Sequence, residues 1–409
     1  MTQRDWLWTG ITVVVVGAYA LLTPVSAVVS LAERIMPILV FLATITIVVN
    51  LSAKAGVFTR AARYAARAAG DRPMLLWLLI TALAMVCTAF LSLDTTAVLI
   101  TPLAISLVWA VRADIVPYAL IVVWIANIGS LWLPVSNLTN LLSVQSGIIE
   151  GTPQYIAETV WPALLGAVVA IGFTLMIFRN RISRKHHGAA HGAVQGAVQG
   201  AMPGAVHETA ARTPSPPRHP ALLPCAVTLM IALPLLTTPI PYWLTSSAAA
   251  LVLFGVFLFT DRSPLRVSLL PWGAMALALT LVVAVDMLHT LGAEAVVTRA
   301  LSTEGEASGL FALTAGGVVA SNVLNNLPAY LLLEPAVTTA PEMVALLIGV
   351  NAGPLLTPWA SLATLLWADQ LRRAGIAVPW KSFIVLGCLL VPLVCTVMLL
   401  PLVVEAALL

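Results

Sequence analysis

Long apolar runs separated by short polar loops make up most of the chain. A helix needs roughly 20 apolar residues to cross a hydrocarbon core of about 30 Å. Runs of that kind lie at residues 6–23, 35–52, 115–149, 159–178, 221–238, 242–260, 268–290, 343–368 and 382–408. Those at 115–149 and 343–368 are interrupted by glycine, proline and polar residues. Two further stretches, 74–111 and 306–340, are broken by polar residues at Ser92 to Thr96 and at Ser321 to Asn326, and each reads as a re-entrant hairpin. The pattern predicts an all-α polytopic membrane protein with about nine full transmembrane spans, two re-entrant hairpins and two interrupted helices.

Charge fixes the expected orientation. With each hairpin entering and leaving on one side, every Lys and Arg except Arg34 and Arg299 falls on the side of Arg4, while Glu33, Glu150, Glu158, Glu294, Glu304, Glu306, Glu334 and Glu342 fall on the other. By the positive-inside rule the N-terminus is cytoplasmic and the C-terminus outside, the arrangement expected in a bacterial inner membrane. No A-x-A-like cleavage site closes the first run, so it reads as a retained span.

The two ends of the chain resemble each other. Asn127-Ile-Gly129-Ser-Leu-Trp-Leu-Pro134 aligns without gaps on Asn351-Ala-Gly353-Pro-Leu-Leu-Thr-Pro358, and in the hairpins Asp94 aligns on Asn326. The charge pattern has the first hairpin entering from the cytoplasm and the second from outside, so the halves read as inverted repeats. The first repeat spans 1–178 (hairpin 74–111, interrupted helix 115–149) and the second 221–409 (hairpin 306–340, interrupted helix 343–368). Between them, 179–220 carries His186, His187, His191, His207 and His219 around the run GAVQGAVQGAMPGAV and reads as a flexible cytoplasmic linker. Its histidines are irregularly spaced, with no cysteine and a single acidic residue, Glu208, among them, which favours a tether over a metal site.

Unwound backbone inside hydrocarbon is tolerated only where protein or a water-filled cavity covers it, so the breaks mark the candidate site. Half-helix ends there present N–H groups to an anion or hydroxyl and carbonyls to a cation. Asn127, Ser136, Asn137, Thr139, Asn140, Asn322, Asn325, Asn326, Asn351, Thr357, Ser361 and Thr364 supply amides and hydroxyls suited to a small neutral trihydroxide or a weakly charged oxyanion. Any single Ser or Thr among them also reads as interhelical glue. Asp94 is the only carboxylate deep in an apolar region and the first candidate for proton or cation coupling. Asp286, with His289 three residues on, is a second coupling candidate and equally a structural pair.

Composition narrows the class. Apolar residues make up 60% of the 409 and charged residues 9%, against roughly 25% charged in soluble domains. The net charge of +3 is spread over separate loops and gives no basic face for nucleic acid. Cys87, Cys225, Cys388 and Cys395 lie in apolar runs without metal-ligand spacing and read as buried hydrophobes, with thiolate binding of a soft metalloid the alternative. No metal or cofactor is expected. An intramembrane enzyme would need Ser with His or paired Asp in facing spans, and only His289 lies outside the linker.

The stretch Gly349-Val-Asn-Ala-Gly-Pro-Leu-Leu-Thr-Pro-Trp-Ala-Ser-Leu-Ala-Thr-Leu-Leu-Trp367 closely resembles the signature of the arsenite permease family of the ion transporter superfamily. Ala126 to Leu138, Ser321 to Pro328, and Asp94 leading into Thr101-Pro102 follow the same pattern. Leu93 and Leu355 depart from it, since family members commonly carry Asn at the first and a polar or basic residue at the second. The resemblance implies efflux of arsenite or antimonite in exchange for protons and an elevator-type motion of hairpins and interrupted helices against a scaffold. In some members a soluble arsenite-stimulated ATPase is attached; a homodimer stays open alongside a monomer. The rival readings are a sodium-coupled di- or tricarboxylate transporter of the same superfamily and a sodium/proton antiporter.

Overall fold

A computed structural model describes residues 3–183, 219–301 and 306–408, all of them in helices or the turns between helices. The first series of elements is α1 (Gln3–Leu22), α2 (Val25–Lys54), α3 (Val57–Ala69), α4 (Pro73–Leu91), α5 (Leu93–Ala110), α6 (Ile115–Ile128), α7 (Leu138–Gln145) and α8 (Gly151–Ser183). After α9 (Leu222–Leu235) the same order recurs. The second series is α10 (Tyr242–Thr260), α11 (Trp272–Thr290), α12 (Ala293–Leu301), α13 (Glu306–Leu324), α14 (Asn326–Leu333), α15 (Ala340–Ala352), α16 (Leu362–Arg373) and α17 (Trp380–Leu408).

Contacts between the two series come in matched pairs. α1 lies against α11 and α2 against α10, while α5 lies against α16 and α7 against α14. α6 and α15, the helices that lead into the breaks, touch each other at the centre and are buried on every face, from Pro117 to Ile128 and from Met343 to Ala352. Uniform burial explains their composition: with no lipid-facing or water-facing side, neither has a polar stripe. α15 starts where its sequence directs, with Thr339 and Glu342 forming a reciprocal capping box and Pro341 in the first turn.

Nine helices among the described residues are long and apolar enough to cross a membrane, which makes this a multi-pass membrane protein. The number matches the expectation but the membership differs. α4, α5 and α13 each qualify, although they belong to the stretches read as hairpins, whereas α9 is 14 residues and α15 is 13. At 1.5 Å per residue those two are only about 20 Å long. Other helices overrun their apolar runs: α2 has 30 residues and α8 has 33, ending at Ser183 rather than 178. Most of the 179–220 segment, with His186, His187, His191 and His207, lies outside the described residues.

Two short helices were not foreseen. α3 carries Arg60, Arg63 and Arg67 while burying Phe58, Ala62 and Ala69, and α12 exposes a mixed face just before the second hairpin. Both are amphipathic and occupy the same place in their series, directly ahead of a hairpin. A search for runs of about 20 apolar residues passes over them because their polar positions recur every third or fourth residue.

Between α13 and α15 the packing is backbone on backbone. Gly317 of α13 and Gly349 of α15 let the two helices touch directly, and Gly353, which caps α15, lets Val318 of α13 approach just beyond. A Cβ on Gly349 would lie 3.0 Å from Gly317 Cα and on top of the Thr314 carbonyl, and one on Gly353 would lie 2.8 Å from Val318 Cγ2. Thr314 Oγ1 donates across the same seam to the Ala345 carbonyl at 2.8 Å. This is the small-residue packing that membrane helices use in place of a hydrophobic driving force.

Gly349→Ala should therefore destabilise the purified protein by about 1–3 kcal/mol, the usual cost of overpacking. Gly172→Ala, where an added Cβ meets nothing within 4 Å, should leave the thermal midpoint unchanged; equal midpoints for the two variants would refute the seam.

Candidate functional site

The first hairpin turns on a single residue. Ser92 adopts φ 120° and ψ 160°, its side chain accepts from Thr95 N at 3.2 Å, and Thr88 Oγ1 donates to Thr96 Oγ1 at 2.9 Å across the tip. In a continuous helix those two threonines, eight residues apart, would be about 12 Å apart along the axis, so α5 folds back on α4. Asn325 does the same between α13 and α14, with φ 119° and ψ 157° and its side chain accepting from Leu327 N. Matching dihedrals set Ser92 against Asn325, one residue out of register with the sequence pairing of Asp94 and Asn326. Among the described non-glycine residues, only these two and Arg112 have positive φ.

Each hairpin tip docks on the break of its own series. At the first break α6 ends at Ile128, two 3-10 turns follow at Gly129–Trp132 and Pro134–Ser136, and Asn137 caps α7 in extended geometry. Ser136 Oγ donates to the Ala89 carbonyl of α4 at 2.6 Å. At the second break α15 ends at Ala352 and Ser361, also extended, precedes α16. Asn326 N donates to the Ala360 carbonyl at 2.9 Å and Asn325 Nδ2 to the Trp359 carbonyl at 2.8 Å. Gly129 and Gly353 keep right-handed helical dihedrals and still donate back into α6 and α15, so neither break is made by glycine's conformational freedom; Pro134 opens the second 3-10 turn, where a missing donor costs nothing.

Asn322 is committed to holding the second break. Its Nδ2 donates to the Gly353 carbonyl at 2.8 Å, its Oδ1 accepts from Leu356 N at 3.2 Å and Thr357 N at 3.0 Å, and its carbonyl accepts from Thr357 Oγ1 at 3.0 Å and Trp359 Nε1 at 2.9 Å.

Asn351 joins the two series. Its Oδ1 accepts from Asn137 Nδ2 at 2.7 Å and Thr139 Oγ1 at 2.9 Å, and its Nδ2 donates to Asn140 Oδ1 at 2.7 Å. Asn140 Nδ2 in turn donates to the carbonyls of Ser130 at 2.7 Å and Leu133 at 3.1 Å. All four side chains are buried.

A second group of buried polar atoms has no hydrogen-bond partner among the described residues. Asp94 Oδ1 and Thr101 Oγ1 lie on α5, Asn127 Oδ1 at the end of α6, and Ser361 Oγ and Thr364 Oγ1 at the start of α16. These three segments pack on one another. Asn127 turns its Nδ2 back to the Val123 carbonyl of its own helix at 2.9 Å. Thr101, seven residues after Asp94 and so on the same helical face, joins the site candidates only through its missing partner.

Asp286 is elsewhere. Its Oδ2 accepts from Tyr19 Oη at 2.7 Å, between α11 and α1, and His289 Nε2 pairs with the Leu331 carbonyl of α14 at 3.0 Å. The two are therefore not bonded to each other as the i, i+3 spacing suggested, and each fastens α11 to a different neighbour. The sequence also gave no sign of the ion pair of Arg34 on α2 with Glu334 after α14, to which Tyr330 Oη donates at 3.1 Å. Partners 300 residues apart leave no local pattern. Among the described residues no three His, Cys, Asp or Glu gather as a metal site; Cys87, Cys225 and Cys395 are buried, and Cys388 is exposed.

The chain matches known proteins over most of its length. A family model described as a citrate transporter matches residues 5–345. A putative arsenical pump membrane protein of Bacillus subtilis (strain 168) is 24% identical over 379 residues, covering 86% of this chain and 83% of that protein. The arsenical pump membrane proteins of Escherichia coli (strain K12) and Yersinia enterocolitica are each 26% identical over 372 residues, covering 86% of this chain and 82% of theirs.

Removing the Asn351 carboxamide takes a partner from three buried groups and leaves Asn137 Nδ2 with none among the described residues, since Thr139 Oγ1 and Asn140 Oδ1 keep a 3.4 Å bond to each other; a buried group left unpaired costs about 1–3 kcal/mol. Asn351→Ala should lower the thermal midpoint of ligand-free protein well below that of Asn127→Ala, which loses only a bond within its own helix. Equal midpoints would show that the network does not hold the two series together.

Proposed function

The chain belongs to the CitMHS citrate transporter family, and on that premise we propose that this membrane transporter exports arsenite or antimonite in exchange for protons. The observation that carries this reading is the set of buried, unpartnered oxygens on α5, α6 and α16, Asp94 among them, in a chain whose relatives are named arsenical pump membrane proteins. A trihydroxide offers O–H donors to those oxygens and carries no charge into the membrane. A bare carboxylate at a bilayer centre costs about 2.5–3.5 kcal/mol on insertion scales. Asp94 thus has reason to hold a proton whenever the substrate is absent, which is the alternation an exchanger needs.

The same reading has two repeats of opposite orientation, with re-entrant hairpins and an elevator-type motion. α1, α2, α10 and α11 form the scaffold; the hairpins and broken helices are the moving body. The matched contacts of α1 with α11 and α2 with α10, and of α5 with α16 and α7 with α14, support it. The protein then sits in a bacterial inner membrane with its N-terminus cytoplasmic and its C-terminus outside. Asp286, bonded to Tyr19 within the scaffold pair, acts in this reading as a structural anchor.

The family's own description favours a second reading, transport of citrate or a related anion. Against it, α5 and α6 contain no Lys or Arg to meet a carboxylate.

In inside-out vesicles carrying a preformed proton gradient, arsenite should collapse that gradient and accumulate inside, and Asp94→Asn should abolish both effects while the protein remains in the membrane. Sodium-dependent citrate uptake with no response to arsenite would overturn the proposal in favour of the second reading.

A further inference from the structure

We infer that the two breaks are not two equivalent ligand sites: the first is closed by the Asn351 carboxamide, and ligand is taken only at the second, between the end of α6, the start of α16 and the first turns of α5. The inference rests on the transport reading above and narrows it to one chamber.

An offset of 224 residues places Asn127 where Asn351 stands, and Asn137, Thr139 and Asn140 where Ser361, Ala363 and Thr364 stand. Asn351 is bonded to the side chains of all three of its positions. At the counterpart positions every side chain is smaller: Ser for Asn, Ala for Thr, Thr for Asn. No carboxamide remains to reach Asn127, and Ala363 has no polar atom at all. Asn127 Oδ1, Ser361 Oγ and Thr364 Oγ1 are left without partners although all three residues are 0% exposed. Native structures rarely leave such atoms alone; among the described residues Trp124 Nε1 on α6 and Trp367 Nε1 on α16 also lack partners, but the oxygens named here lie at the break ends of three packed segments, where one guest would complete them.

The atoms specify the guest. An amide oxygen and a carboxylate oxygen accept, and three hydroxyls accept or donate, so the chamber suits a small uncharged molecule rich in O–H groups. A carboxylate anion would meet Asp94 with no cation on α5 or α6 to offset it. At the first break the Asn351 carboxamide already supplies both an acceptor and a donor, and it holds the place a guest would need.

The test uses full-length protein in a Cys388→Ser background, so that the exposed thiol takes up no arsenite, with thermal midpoints read in parallel with sodium arsenite, citrate and sodium chloride. Thr364→Val removes one unpartnered hydroxyl without changing shape. Its ligand-free midpoint should equal or exceed the parent's, while its affinity for arsenite falls about tenfold, the worth of one hydrogen bond to a buried group. A midpoint well below the parent's would instead give that hydroxyl a structural role and overturn the chamber. The triple change Ser361→Asn, Ala363→Thr and Thr364→Asn rebuilds around Asn127 the set that surrounds Asn351. It should raise the ligand-free midpoint and abolish the arsenite response, and a folded triple variant that still binds arsenite as the parent does overturns the inference. If the parent responds to citrate or sodium and not to arsenite, the trihydroxide reading fails. The single chamber then stands if both variants lose that other response and falls if both keep it.

Discussion

Backbone groups that leave the helical ladder inside hydrocarbon have no water to turn to, and each costs several kcal/mol if left alone. The structure is organised around meeting that demand at two places. Asn322 gives its carboxamide oxygen, one amide hydrogen and its carbonyl to the segment from Gly353 to Trp359, and its other amide hydrogen to the Val318 carbonyl of its own helix. Asn325 and Asn326 take the next two carbonyls, and at the first break Asn140 and Ser136 bind carbonyls on either side. The second hairpin tip delivers donors to its break, and the first offers its break the Ala89 carbonyl as an acceptor. The hairpins and the broken helices are parts of one device.

The same device ties the ends of the chain together. The second arm of each hairpin lies against the post-break helix of the other series, and the Asn351 carboxamide reaches across more than 200 residues to Asn137 and Asn140. Neither series can complete its polar interior alone. Long-range closure of this kind is slow to form, which suits a chain whose helices are first held side by side in a bilayer. Apolar composition supplies the helices, but the long-range carboxamides select among the many ways of packing them.

The apolar runs and the polar breaks were readable in the sequence because both are local. Tyr242–Thr260 was placed to the residue, and the gap-free alignment of Asn127 to Pro134 on Asn351 to Pro358 put the breaks where the backbone unwinds. In the hairpins polar identity pairs Asp94 with Asn326, whereas the backbone demand falls on Ser92 and Asn325, one residue out of that register. α3 and α12 were missed for lack of apolar length. The division of labour among the candidates was also illegible. Asn322 and Asn127 look alike in a sequence, yet one is wholly engaged and the other keeps an unpartnered oxygen, a difference fixed by residues far along the chain.

The glycine seam between α13 and α15 carries a mechanical consequence. Helices that mesh through side chains can shift by letting ridges climb out of grooves, with rotamers absorbing the strain. Gly317 and Gly349 leave no such cushion, so peptide planes bear directly on one another. The two helices are welded into a single plank, and any displacement of the second hairpin must carry along the helix that delivers Asn351.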